Sequence, residues 1–120
     1  MKRGTEPYDA ALDAMIIVLQ RWAREGRKNG WYSALSAELQ ALGHPVHHRS
    51  KTMSELLADV CHREWANGAP MLSVIVVNKT NGTPSGQFFE LAKAGPFHRT
   101  DSDWSWERER SRVFAHYSQS

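Results

Sequence analysis

A run of seven residues, Met71-Leu72-Ser73-Val74-Ile75-Val76-Val77, follows Pro70 and carries no charge, so any fold open to this chain has to place it inside. Its β-branched side chains favour a buried strand over another helix. A buried strand needs a partner for its backbone groups. Asn81-Gly82 is a strong turn signal, Thr83-Pro84-Ser85-Gly86 lengthens the loop, and Gln87 to Leu91 reads as a returning strand. The pattern therefore predicts a β-hairpin with a long polar tip.

Helical periodicity accounts for the segments on either side. Tyr8, Leu12, Met15, Ile16, Leu19, Trp22 and Ala23 recur at spacings of three and four, with start signals at Thr5, Glu6 and Pro7 and a stop at Gly26. These predict an amphipathic helix over about Pro7 to Glu25. After an extended step at Trp31-Tyr32, Ser33 is placed to cap a second helix that turns Leu35, Leu39 and Leu42 inward and ends at Gly43. Thr52-Met53-Ser54-Glu55 has the spacing of a capping box and opens a third, with Met53, Leu56, Leu57, Val60, Cys61 and Trp65 as its apolar stripe. A final helix is expected after Asp101-Ser102-Asp103, with Trp106, Arg110, Val113, Phe114 and Tyr117 on one face.

No Pro/Gly/Ser-rich run is long enough to act as a linker, so the 120 residues are expected to form one domain, with a core over about 7–92 and a helical extension over about 101–117. Apolar residues make up 41% of the chain and charged ones 23%, far from the composition of a disordered segment. No apolar stretch approaches the ~20 residues of a membrane span, and no signal-peptide pattern opens the chain. Cys61 is the single cysteine, which excludes an internal disulfide and suits a reducing compartment. A cytoplasmic protein is the expectation.

Helix, extended step, helix, tight turn, helix and hairpin is the order of a winged helix, an α+β fold here extended by a C-terminal helix. Between Trp31 and Phe89 the chain also resembles the DNA-binding domain of the alkylguanine-DNA alkyltransferases and their alkyltransferase-like relatives. Tyr32-Ser33-Ala34-Leu35-Ser36-Ala37-Glu38-Leu39 is similar to their aromatic-led second helix, and an apolar strand followed by a turn such as Asn81-Gly82 to Gly86 completes the likeness. The resemblance implies a winged helix that binds DNA. The Pro-Cys-His-Arg-Val segment of that family would fall on Leu72-Ser73-Val74-Ile75-Val76, where no thiol stands, so alkyl transfer is excluded. Cys61-His62-Arg63 repeats three letters of the motif but lies on a helix, ahead of Trp65 and Gly68. Pro70 to Leu91 is also similar to a group of uncharacterised prokaryotic proteins, and no activity comes with that likeness.

The residues offer little for catalysis. His44, His47 and His48 with Cys61 or His62 lack the paired spacing of a zinc site, and adjacent positions on a helix such as Cys61 and His62 point about 100° apart. Nucleotide-loop, metalloprotease and hydrolase signatures are missing. The expectation is a non-enzymatic protein without cofactor or metal.

For DNA, the candidate residues are His47, His48, Arg49, Ser50, Lys51 and Thr52 at the start of the third helix, Lys79 and Asn81 on the hairpin tip, and Arg27 and Lys28 after the first helix. A non-enzymatic winged-helix DNA-binding protein of a prokaryote or phage, regulatory or defence-related, is the leading expectation. Two observations oppose it. The net charge is only +2, from 15 basic and 13 acidic residues, and Glu55 and Asp59 on the third helix would repel phosphate. The alternative is an adaptor or inhibitor that docks a protein partner through Trp104 and Trp106, with Phe114 and Tyr117 nearby.

Overall fold

The structure, a computed structural model, describes residues 1–118. Pro7 in the first turn and the apolar stripe that follows give helix α1, Glu6–Arg24, whose inward face buries Tyr8, Met15, Leu19 and Trp22 almost completely. Helix α2, Tyr32–Ala41, starts directly after Trp31, and its N-cap position makes no side-chain hydrogen bond. Ser33 is therefore a residue of the first turn instead of the expected cap. Helix α3, Lys51–Ala66, is capped by Ser50, whose Oγ accepts from the Met53 N–H at 3.1 Å, two residues ahead of the predicted capping box.

The predicted hairpin is replaced by helix. Met71 to Val77 is buried along its whole length, but Leu72–Ile75 forms a 3-10 turn and Val76 continues as extended chain. Gln87 to Leu91, expected as the second strand, lies in helix α4, Gly86–Lys93. Among the described residues the only ladder contact is an isolated parallel bridge between Trp31 and Val77. The chain is consequently all-α, with five helices among the described residues, and the winged-helix assignment, its α+β class and its hairpin wing are overturned.

Two local causes account for the difference. Ser85 accepts a hydrogen bond from the Phe88 N–H at 3.4 Å and so starts a helix where a strand was expected, and Phe88 and Ala92, four apart, then share its buried face. The Met71–Val77 run, enclosed by α1, α3 and α5, needs no sheet because its backbone finds partners elsewhere. The N–H of Met71 donates to Glu109 at 3.0 Å, those of Val74 and Val76 donate within the turn, and that of Val77 donates to the Gly30 carbonyl at 2.9 Å. Gly30 has no room for a side chain: a Cβ there would stand 2.8 Å from the Ile75 carbonyl oxygen and 2.8 Å from the Trp22 ring.

Helix α5, Trp106–Ser118, closes the core with Glu109, Val113 and Tyr117 inward. Glu109 is fully buried and accepts from the Met71 N–H, the Trp104 indole at 2.9 Å and Arg99 at 3.1 Å. Tyr117 donates its hydroxyl to Glu64 at 2.7 Å, and Gln20 of α1 donates to the same carboxylate at 2.6 Å. The final helix is thus tied by polar contacts as well as by packing, docked back on the core.

Candidate functional site

The bridge at Val77 brings the start of α2 beside the loop that leads into α4, and the space between these and α3 is a pocket of about 470 Å³. Each wall follows from the local sequence. Trp31 and Tyr32 come from the chain entering α2, held there because Val77 accepts from the Tyr32 N–H. Met53, Leu57 and Ala58 come from one face of α3. Ser85, Gln87, Phe88 and Leu91 come from α4, which leans on α3 through a Ser54–Gln87 hydrogen bond. The floor is apolar, with Met53, Leu57 and Phe88 buried. The Tyr32 hydroxyl accepts from the Ser85 N–H at 3.2 Å and fixes the ring; burial raises its pKa, against the opposing effect of Ser85.

The rim is cationic. His48 and Arg49, from the loop before α3, and Lys79 and Thr80, from the loop after Val77, line the pocket, with Arg49, Lys79 and Thr80 exposed. The Lys79 ammonium stands 4.8 Å over the Trp31 ring. Neither Arg49 nor Lys79 forms an ion pair among the described residues. Among the described residues no carboxylate lines the pocket. Glu55 and Asp59, the acidic residues expected to oppose an anionic partner, are turned to Arg3: its guanidinium reaches Asp59 at 2.8 Å and Glu55 at 3.6 Å, and Tyr8 donates to Asp59 at 2.5 Å.

Of the residues predicted for DNA contact, the fold brings His48, Arg49 and Lys79 together in this pocket. The others lie apart from it. His47 stacks on His48 at 4.5 Å and accepts from the Arg49 N–H, ordering the loop. Ser50 is the α3 cap, Lys51 is exposed at its first position, and Thr52 donates to the Met1 carbonyl at 3.5 Å. Arg27 lies over Trp22 at 4.2 Å and 3.9 Å from Glu38, with Lys28 exposed beside it. Asn81 accepts from the Thr83 N–H and shapes its own loop. Along α3 only Lys51, His62, Arg63 and Ala66 are exposed, so the helix is packed between its neighbours.

Trp104 and Trp106, the predicted partner-docking residues, are half-buried: the first donates to Glu109 and the second lies under the Arg110 guanidinium at 4.9 Å. Sequence reasoning missed Trp31, Tyr32, Gln87 and Phe88 as site residues. The signal available was the Ser85 cap, which at helical spacing puts Gln87 and Phe88 on adjoining faces of one short helix.

The Cys61 thiol is fully buried, 2.9 Å from the Ser73 hydroxyl, and burial pushes its pKa up to about 11, the opposite of an activated nucleophile. Among the described residues no three His, Cys, Asp or Glu side chains converge as metal ligands, and no helix is long and apolar enough to cross a membrane. No known protein family, curated protein or solved structure matches this chain.

Proposed function

We propose that this chain is a non-enzymatic binding protein for a small organic anion with an apolar body, taken up in the pocket between α2, α3 and α4. The observation that carries the reading is the pairing of an apolar floor with two cations, Arg49 and Lys79, that have no acidic partner among the described residues. A concave apolar site with a few convergent polar groups is the usual form of a small-molecule site, and ~300–1,000 Å³ is its usual size.

Duplex DNA is a second reading, favoured by that same cationic rim. It lacks the projecting hairpin and the free third helix on which direct groove reading would rely. The protein-docking reading is weakened because the Trp104 indole N–H is already bonded inside the fold.

Calorimetric titration with phenyl phosphate, benzoate and octanoate, beside neutral benzyl alcohol and octanol, tests the proposal. At least one anion is expected to bind where its neutral counterpart does not, with Arg49→Ala weakening it about tenfold or more, the equivalent of one lost charge-assisted contact. Failure of every anion, together with salt-sensitive binding of duplex DNA, would transfer the assignment to the second reading.

A further inference from the structure

The pocket combines three features that together narrow the class of anion. Its two cations without an ion pair among the described residues, Arg49 and Lys79, bring two positive charges to the lining of one pocket, which suits a phosphate monoester, with its charge of about −1.5 to −2 near neutrality, better than a carboxylate. Its walls include the rings of Trp31, Tyr32 and Phe88, surfaces on which a flat ring system stacks whatever its substituents. The third feature is polar. Ser33, Thr80 and Gln87 line the space at exposed positions, and the two hydroxyls and the Gln87 amide nitrogen have no hydrogen-bond partner among the described residues.

An alkyl chain laid against those three exposed groups would offer them no hydrogen bond. A sugar's hydroxyls and the nitrogen and oxygen edge of a base would return hydrogen bonds. Resting on the organic-anion reading above, we propose that the ligand is a nucleoside monophosphate unit, its phosphate between Arg49 and Lys79 and its base against the aromatic wall. The space of about 470 Å³ suits one such unit and not a stacked pair of strands. The same chemistry occurs in a free nucleotide and at the 5′-phosphorylated end of a single strand.

The test is titration of the full chain with adenosine 5′-monophosphate, adenosine, inorganic phosphate, benzoate and octanoate, and with a short single strand carrying either a 5′-phosphate or a 5′-hydroxyl. The monophosphate is expected to bind at least about tenfold tighter than adenosine, and Arg49→Ala and Lys79→Ala each to erase most of that difference. Gln87→Ala, at an exposed position of α4, is expected to weaken the monophosphate while leaving inorganic phosphate unchanged. Tighter binding of the 5′-phosphorylated strand than of the free nucleotide would assign the strand end; the reverse would assign the free nucleotide. Equal binding of adenosine and its monophosphate, or binding of benzoate or octanoate with no nucleotide bound, overturns the nucleotide assignment while leaving the organic-anion reading in place. Absence of binding by every compound overturns both.

Discussion

At position 109 a carboxylate sits without solvent exposure and accepts five hydrogen bonds, from the Met71 N–H, the Trp104 indole, Arg99 twice and Arg112. Burial works against its charge most strongly, yet the Met71 N–H, Trp104 and Arg99 outweigh it and hold the carboxyl below its ordinary value of 4.5. Truncation leaves a buried N–H and a guanidinium without their acceptor, so Glu109→Ala is expected to destabilise by roughly 3–5 kcal/mol in urea unfolding, and Glu109→Gln by less. Because the folded-state pKa is depressed, the stabilisation is complete above the unfolded value of 4.5 and is lost as pH falls through the lower folded value. Urea midpoints measured across that acid range are expected to drop for the parent and to drop less for Glu109→Gln. Glutamate in the middle of a predicted helix reads as a solvated residue; this one is internal because Met71, Trp104 and two arginines converge on it, and no local pattern announces the N–H of Met71, 38 positions away in sequence.

Among the elements, α4 and the Met71–Val77 run show where sequence pattern stops being decisive. The run was legible as buried, and it is, but an uninterrupted apolar stretch does not distinguish a strand from an irregular core segment. What settled it was the behaviour of residues 85–92, where a serine cap and helical spacing won over the turn signal that precedes them. The turn itself is real: Gly82 adopts φ +70° and Asn78 donates to the Thr83 carbonyl. It simply leads into a helix. Helices α1, α3 and α5 were legible within a few residues because their apolar stripes are long. Two substitutions test this level. Ser85→Ala is expected to cost about 1 kcal/mol and to speed amide exchange in α4 before other helices. Gly30→Ala must displace the Trp22 ring or the Ile75 backbone and is expected to destabilise by roughly 1–3 kcal/mol.

Across the whole molecule, the distribution of charge matters more than its sum. Acidic side chains are engaged away from the pocket: Asp59 and Glu55 with Arg3, Glu38 with Arg21, Asp13 with Arg63, and Glu109 with Arg99. A near-balanced total of +2 therefore coexists with an uncompensated cationic rim. Sequence alone could nominate His48, Arg49 and Lys79, but not their convergence with Trp31 and Phe88, because that depends on the Val77 bridge and on α4 replacing a strand. Ligand binding is expected to weaken with added salt, as contacts from exposed cations do. The most direct check is a two-dimensional nitrogen–proton spectrum of the labelled protein during titration with phenyl phosphate. Shifts confined to the Trp31 indole and to the amides of Ser33, Arg49, Lys79, Thr80 and Gln87 are the predicted result. An unchanged spectrum at saturating concentrations, or shifts centred instead on Arg99 and Arg112, would contradict the assignment of the pocket as the anion site.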